Sequence, residues 1–264
     1  MKKYVLMTAI AVNLMSCNRS ENDETVTESI PVLPTKITLE SKNGESANIT
    51  LNYNGSKLTE VNGIYGTGKI FFEYSNNLIS KIVEKDGEDV IITNLEYTNN
   101  KLTKTITTGT EDNGMYNFSN ETTYVYRNDR TVIANEIGTS NSQNYTASTT
   151  YTITNNQATK YISTRYSTTT THNISYDEKN SIFKNITGFK EASLALNSIF
   201  FIKDFSTTQN NYISISTDEQ SSGNYSATYQ YTYNSNNYPS KSIYNYKYGS
   251  LLSSTITYTI TYNK

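Results

Sequence analysis

A short pattern recurs along this chain and constrains its fold more than any other feature of the sequence. Each copy has a tyrosine, a polar turn containing asparagine, and then an apolar residue with lysine nearby. The clearest copies are 51–59, 72–82, 95–104 and 231–241, and weaker ones begin near Tyr124, Tyr151 and Ile174. Because asparagine tolerates the left-handed backbone of tight turns, each copy predicts a β-hairpin. A single hairpin cannot bury its own face, so the pattern predicts hairpins arrayed side by side.

Strict alternation of residue types supports strands within these hairpins. In 255–262 (TITYTITY), isoleucine and tyrosine occupy one face and threonine the other. Tyr229, Tyr231 and Tyr233 likewise share one face, because successive side chains of a strand point to opposite sides. These aromatic stripes have two interpretations: cross-strand packing in the core, or a platform for a ligand. Tyr229, Tyr231 and Tyr233 are therefore the candidate ligand-binding residues.

One segment interrupts the hairpin pattern. Residues 188–205 (GFKEASLALNSIFFIKDF) form the least polar stretch after the N-terminus, with apolar residues near helical spacing. This spacing predicts a short helix or buried loop, within 187–203, that closes one end of the sheet. Such an insert either fills the core or acts as a plug or pocket wall.

The fold class predicted is therefore all-β: a curved antiparallel sheet or open barrel of roughly ten or more strands, built from repeated hairpins, with one short helical or apolar insert. Curvature or closure would hide the sheet edges. The 24 tyrosines suit a half-buried pleated surface, while a mean hydropathy of −0.59 indicates that much of the sheet faces water. Residues 35–264 are predicted to form one domain, and closed and open sheets remain alternatives.

The N-terminus predicts export and lipid attachment. Lys2 and Lys3 precede a short apolar run, and LMSC ends at Cys17 in a sequence that resembles a bacterial lipobox. Residues 1–16 are thus predicted to be a signal peptide, Cys17 the acylated residue, and 17–34 an acidic flexible tether. The acidic residues after Cys17 favour an outer-membrane location at the cell surface. For the N-terminus the alternative is an ordinary secretory signal with an incidental cysteine. For the acidic segment the alternative is a solvated linker without a sorting signal.

Composition excludes several function classes. With 22 Lys and Arg against 24 Asp and Glu, the chain lacks the basic excess of a nucleic-acid binder. One cysteine and one histidine leave no disulfide and no multi-histidine metal site. His172 has no partner indicated by the sequence and is predicted to be a surface or hydrogen-bonded residue. We predict no catalytic residues, no metal, no cofactor and no enzymatic activity.

Two segments carry a resemblance to known proteins. The stretch 176–185 (YDEKNSIFKN), followed by the apolar insert and by YTYNSNNYPSK at 231–241, resembles lipoproteins of Flavobacterium-like bacteria. Those in turn resemble a Bacteroidota domain family of unknown function with a porin-like fold. The hairpin unit is also similar to the YD repeats of Rhs-type shell proteins, and that resemblance implies carbohydrate binding. Neither resemblance supplies catalytic residues.

These observations predict a non-enzymatic cell-envelope lipoprotein that acts as a binding or display module. Its partners would be the membrane, through the lipid anchor, and a glycan or hydrophobic ligand. The alternatives are a structural surface protein without a small-molecule ligand and a carbohydrate-binding protein. A lipid-embedded barrel is disfavoured, because lipid-facing strands need a continuous apolar band and the second face here is threonine, serine and asparagine. A concave, tyrosine-lined cavity would favour binding, whereas a filled core would favour a scaffold.

Overall fold

A computed structural model describes residues 30–64, 66–196, 199, 202–219, 224–249 and 252–264. The predicted signal peptide, Cys17 and all of the predicted tether before residue 30 lie outside the described residues. Residues 31–264 form one compact unit. Its sixteen strands are β1 (Pro34–Ser41), β2 (Ser46–Asn54), β3 (Lys57–Ile64), β4 (Gly68–Ser75), β5 (Leu78–Asp86), β6 (Asp89–Thr98), β7 (Lys101–Glu111), β8 (Tyr116–Tyr126), β9 (Thr131–Ser140), β10 (Gln143–Thr154), β11 (Gln157–Arg165), β12 (Thr168–Tyr176), β13 (Tyr212–Glu219), β14 (Tyr225–Tyr233), β15 (Pro239–Tyr248) and β16 (Leu252–Tyr262).

The strands form one closed antiparallel barrel. Each strand pairs with its neighbours in sequence, and β1 closes the sheet against β16. The predicted all-β hairpin fold is confirmed, and of the two alternatives the sheet adopts closure, which leaves no exposed sheet edge. We call the end of the barrel where β1 begins and β16 finishes the near end, and the opposite end the far end.

The repeated pattern corresponds to a repeated β-bulge at the near end. In five hairpins the strand register shifts within the last three residues of the first strand, as between Glu96 and Tyr97. The extra residue on the returning strand is always serine or threonine, and its hydroxyl donates to a carbonyl across the hairpin. The distances are 3.0 Å for Thr59 to Asn52, 3.3 Å for Ser80 to Glu73, 3.1 Å for Thr103 to Glu96, 3.5 Å for Thr159 to Thr152 and 3.1 Å for Ser240 to Thr232.

The turns between these strands have the backbone that the asparagines predicted. Asn99 and Asn100 have φ values of 50° and 59°, and Asn155 and Asn156 have 52° and 62°. Two successive residues with positive φ match the right-handed twist of the flanking strands in a two-residue hairpin. The asparagine pairs therefore set both the turn and the register of their hairpins.

Three tyrosines near this end link their strand to the preceding one, whereas the buried hydroxyls of Tyr74 and Tyr97 have no hydrogen-bond partner among the described residues. The Tyr176 hydroxyl donates to the Ala158 carbonyl at 2.8 Å, and the Tyr262 hydroxyl donates to the Pro239 carbonyl at 2.8 Å. The Tyr53 hydroxyl on β2 donates to the Pro34 carbonyl on the closing strand β1 at 2.7 Å. These bonds connect adjacent strands around the near end, which gives the hydroxyl of these three tyrosines a role that phenylalanine could not fill.

The two faces of the barrel wall differ in chemistry. Along β14, outward-facing Ser226, Thr228 and Gln230 are exposed, whereas inward-facing Ala227 and Tyr229 are buried. Lysine, glutamate, threonine and asparagine dominate the outer face of the other strands in the same way. Most apolar and aromatic residues therefore face inward, with exposed Val125 and Ile137 as exceptions, and the core lies inside the barrel.

Residues 177–211, which we call the plug, connect β12 to β13, and those of them that the structure describes fill part of the interior. They include one helix, α1 (Ser193–Leu196), and a 3-10 turn (Ile202–Asp204). Asp177 ties the two ends of the plug together, because its carboxylate accepts bonds from the backbone and side-chain amides of Asn211, both at 3.0 Å. The predicted short helix within 187–203 is confirmed, and the segment around it is longer than the apolar stretch indicated.

None of the helices in the described part of the chain is both long enough and apolar enough to traverse a lipid bilayer.

Candidate functional site

The barrel interior has a filled side and a hollow side. On the filled side, inward residues of β1–β7 pack against the plug, where Phe189 is fully buried with its ring 5.8 Å from that of Phe72. On the hollow side, inward residues of β5–β15 surround two cavities, which the plug lines through Leu194, Ala195 and Asp204. The hollow side is the candidate ligand site, because small-molecule sites are concave and lined by aromatic groups with a few polar ones.

The larger interior space, which we call the tyrosine cavity, has a volume of about 520 Å³. Its wall combines aromatic rings with a histidine and a carboxylate. The lining residues are Tyr151, Tyr161, His172, Ile174, Leu194, Asp204, Tyr212, Ile215, Tyr225, Tyr229, Tyr244 and Tyr246. Several of the rings are stacked: the Tyr229 and Tyr244 centroids are 4.9 Å apart, and those of Tyr244 and Tyr246 are 5.3 Å apart. The cavity therefore presents flat apolar faces with hydroxyl groups at their edges.

Asp204 places negative charge at the wall of the tyrosine cavity. Its carboxylate accepts a hydrogen bond from the Tyr258 hydroxyl at 3.0 Å. Burial, and then the charge of Asp204, raise the pKa of Tyr258 and Tyr212 far above the ordinary tyrosine value. Burial is also the main reason that the pKa of Tyr229 is raised. The Tyr212 and Tyr229 hydroxyls line the cavity, remain protonated at neutral pH and can donate hydrogen bonds to a ligand.

The second interior space, which we call the threonine cavity, has a volume of about 330 Å³ and shares Tyr151 and Leu194 with the first. Threonines of β6, β7, β8 and β10 line it together with three carboxylic acids, Glu84, Glu111 and Glu136. Burial raises the pKa of Glu84 to about 7. The Tyr145 hydroxyl donates to Glu136 at 2.6 Å. The hollow side thus becomes more polar and more acidic toward β5–β9.

The structure separates the three tyrosines singled out from the sequence. All three point inward, but only Tyr229 lines the tyrosine cavity. The Tyr231 hydroxyl donates to the Tyr212 carbonyl at 2.8 Å, and the Tyr233 hydroxyl donates to Asp177 at the base of the plug. Tyr231 and Tyr233 therefore link the near-end wall to its neighbours, and Tyr229 is the one exposed to a ligand in the cavity.

His172 lies on the inward face of β12 and belongs to the cavity wall. Its ring stacks on Tyr161 with centroids 4.0 Å apart, and its Nδ1 is hydrogen-bonded to the Thr217 hydroxyl at 2.8 Å. Among the described residues, no three His, Cys, Asp or Glu side chains are grouped so that they could hold a metal ion.

Sequence reasoning missed most of the cavity wall. Tyr151, Tyr161 and Asp204 come from a weak repeat, a threonine-rich strand and the end of the apolar insert. Alternation does assign Tyr151 and Tyr161 to inward faces, since they pair directly across β10 and β11. The distance of a residue from the plug depends on how the barrel closes, and the periodicity of a single strand carries no signal for it.

Comparison with known proteins finds similarity at the level of fold. No family model matches the sequence, and no curated protein matches it. Among solved structures, a porin-like protein from Bacteroides vulgatus aligns with a TM-score of 0.57 at 13% identity, covering 88% of this chain and 99% of that one. A porin-like protein from Bacteroides uniformis aligns with a TM-score of 0.53 at 16% identity, covering 86% and 98%. The chain therefore has a porin-like barrel fold, in agreement with the fold that its resemblance implied.

Proposed function

We propose that this protein is a non-enzymatic lipoprotein of the cell envelope, whose barrel binds a small ligand in the tyrosine cavity. The single observation that carries the proposal is the hollow side itself: about 520 Å³ of space walled by seven tyrosines inside an otherwise packed barrel. A scaffold would gain stability by filling this space, as the plug fills the other side, because unfilled apolar volume destabilises a core.

The chemistry of the wall favours a glycan fragment as the ligand. A sugar ring offers C–H groups that pack on tyrosine faces and hydroxyls that bond to tyrosine hydroxyls and to the carboxylate of Asp204. A purely apolar ligand would instead cover those polar groups with hydrocarbon, and burying polar groups without hydrogen-bonding partners costs free energy. The volume lies within the range of small-molecule sites, roughly 300 to 1,000 Å³.

The outer face supports a barrel that stands in water. Exposed Lys36, Asn52 and Lys85 are typical of the outward residues, whereas a lipid-facing strand presents a continuous apolar band. Attachment to the outer membrane would then come from acyl chains on Cys17, with residues 17–34 as the tether and surface display as the orientation. Acyl chains contribute about 0.8 kcal/mol per buried methylene, so two or more give stable anchoring.

The ligand proposal is tested with a matched pair of tyrosines on one strand. Tyr246 lines the cavity, whereas Tyr248, two residues further on the same inward face, is 43% exposed and lies outside the cavity lining. Neutral oligosaccharides are screened by thermal shift, and affinities are then measured by calorimetry. We expect Tyr246→Ala to weaken binding by roughly tenfold or more, with Tyr248→Ala close to the unmodified protein. Equal losses in both variants, or no binding by any oligosaccharide, would contradict a glycan site in this cavity.

Attachment is tested separately in cells. We expect Cys17→Ala to abolish metabolic palmitate labelling and to release the protein from the membrane fraction. Continued labelling of that variant would rule out the anchor without affecting the cavity proposal.

A further inference from the structure

The third cavity of the barrel opens at the near end, between hairpin turns and the plug. This mouth pocket has a volume of about 590 Å³ and is bounded by the turns that join β6–β7, β8–β9 and β10–β11. Leu194 and Tyr212 lie between it and the tyrosine cavity, since both residues line both spaces, and Leu194 also lines the threonine cavity. The mouth pocket is therefore a distinct space rather than an extension of the tyrosine cavity.

Charge distinguishes the mouth pocket from the interior. Lys101, Arg127, Arg130 and Lys190 line it, against one acidic residue, Glu191, although the whole chain carries a net charge of −2. The ion pairs among the described residues join Lys69 to Glu60, Lys81 to Glu73 and Lys104 to Glu121, and none of them uses a pocket cation. The four cations are thus free of ion pairs with the described carboxylates, and Lys101 lies over the Tyr126 ring, 5.2 Å from its centroid.

The hairpin that contributes both arginines departs from the internal repeat. The β8–β9 pairing lacks the register shift of the other repeat hairpins, and its turn carries arginines where they carry asparagine, serine or glycine. Arg130 has a φ of 65°, a conformation that bulky residues rarely adopt. The Arg130 carbonyl accepts the Ile153 amide at 2.8 Å, which holds the turn against β10. A strained arginine in place of asparagine favours a role for its side chain over a role in the turn.

The neighbouring acid does not neutralise this turn completely. Asp129 accepts two bonds from Thr131 on one carboxylate oxygen, from the amide at 3.1 Å and from the hydroxyl at 2.5 Å. The hydrogen bond from the Thr131 hydroxyl, and to a lesser extent the charge of Arg127, lower the pKa of Asp129. Asp129 does not line the mouth pocket, whereas both arginines do. Guanidinium groups match the oxygens of phosphate in geometry and charge.

We propose that the mouth pocket is a binding site for a phosphate-bearing anion, with Arg127 and Arg130 as its principal ligands and Lys101 and Lys190 as supporting charges. Hydroxyls of Thr207 and Thr208, which line the plug side, complete the polar wall. The phosphate comes either from a lipid headgroup or from a soluble phosphorylated compound. The headgroup source has support in the chain path, because the segment from Cys17 joins the barrel at this same near end through Pro34.

The test compares two pairs of substitutions that remove the same charge. One variant carries Arg127→Gln and Arg130→Asn, since asparagine tolerates a positive φ. The control carries Lys85→Gln and Lys247→Gln, both exposed and toward the far end. All proteins are full chains with Cys17→Ser, which prevents acylation, and thermal unfolding checks that each is folded. Flotation with vesicles of phosphatidylglycerol and phosphatidylcholine, compared with phosphatidylcholine alone, reports headgroup binding; calorimetry with inorganic phosphate and glycerol phosphate reports soluble phosphate.

We expect binding in at least one arm, weakened about tenfold for each guanidinium removed and by added salt, with the lysine control unchanged. Binding in the vesicle arm alone assigns a lipid headgroup, and binding in the calorimetric arm assigns a soluble phosphate. Equal losses of affinity in the arginine variant and the lysine control would mean that binding depends only on overall charge, and would overturn the site. Absence of binding in both arms would overturn it as well. The oligosaccharide screen tests the tyrosine cavity and the phosphate experiments test the mouth pocket, so either proposal can fail without affecting the other.

Discussion

The filled and hollow sides of the barrel are built from the same hairpin repeat but differ in what their inward positions carry. On β1–β4 and the near-end parts of β5–β7 these positions are mostly isoleucine, leucine and valine, such as Ile37, Ile79 and Leu102, all 0% exposed. On β8–β15 many of them are tyrosine and threonine, and cavities remain between these side chains. A single backbone design can therefore provide both a core and a cavity, and inward side-chain chemistry decides which side does which.

The largest expected effect tests this difference in packing with two leucines of the same helical turn. Leu196 is 0% exposed in the packed core, whereas Leu194, two residues earlier in α1, borders all three cavities. We expect Leu196→Ala to lower the free energy of unfolding by about 3–5 kcal/mol, and Leu194→Ala by roughly 1 kcal/mol, since the latter creates little new void. Urea unfolding of both variants measures the difference; equal losses would mean that the hollow side is packed as tightly as the filled one.

The hollow side should also contain a group whose removal stabilises the barrel. Burial raises the pKa of Glu84 from 4.5 to about 7, so the folded protein binds a proton that the unfolded chain releases above pH 4.5. Stability should therefore fall as the pH rises from about 4.5 to 7, and the penalty should be complete above that range. We expect Glu84→Gln to remove this slope and to stabilise the protein at pH 8 by up to roughly 3 kcal/mol. Unfolding midpoints at pH 5 and pH 8 test this, and a slope that persists in the variant would assign it to another group.

The attachment of the plug to the filled side depends on a glycine. Gly188 has a φ of 81°, and a Cβ there would lie 2.9 Å from the Asn77 carbonyl oxygen and 3.2 Å from the Ile79 amide nitrogen, both backbone atoms. Gly55 has a φ of 62° in an open hairpin turn, with no atom within 4 Å of a Cβ. We expect Gly188→Ala to cost about 1–3 kcal/mol more than Gly55→Ala, because only the first adds a steric clash to the backbone cost. Similar losses would indicate that the plug shifts without resistance.

The smallest expected effect concerns the bulge that both sides share. Thr103→Val removes the hydroxyl that donates to the Glu96 carbonyl, and Thr159→Val removes the corresponding bond to Thr152 together with a contact at 3.3 Å to the exposed Thr154 hydroxyl. Thr103 belongs to the filled side and Thr159 to the hollow side. We expect each to cost about 0.5–1 kcal/mol, with the same value on both sides. A clear difference between them in thermal unfolding would show that the bulge is supported by the interior rather than by its own hydrogen bond.

Local patterns predicted the hairpins well because their determinants are local. Asn99 and Asn100 set a turn through their own backbone, and the alternation in 255–262 follows from strand geometry. Closure could not be predicted, since Ile37 pairs with Ile260 more than two hundred residues away, and no turn connects them. The plug was recognised only in its apolar part, because its ends at Asp177 and Asn211 are polar residues whose mutual bonds form in three dimensions. Of the three tyrosines predicted as ligand-binding residues, only Tyr229 lines the tyrosine cavity, because the position of a ring along the barrel depends on contacts with the plug that alternation does not encode.

The seam between β16 and β1 has a further consequence. Its register shifts beside Thr35, whose hydroxyl donates to the Thr261 carbonyl at 3.3 Å, as in the internal hairpins. Asn263 bonds to the Leu33 amide and the Pro31 carbonyl, both at 3.0 Å, so the two chain segments run together at the seam as they would at a turn. The barrel is thus a ring whose opening could lie at any near-end turn. A circular permutant opened between Asn99 and Asn100 would keep every strand pair. Duplication or deletion of a hairpin would change the circumference of the barrel while neighbouring hairpins still paired in the same way.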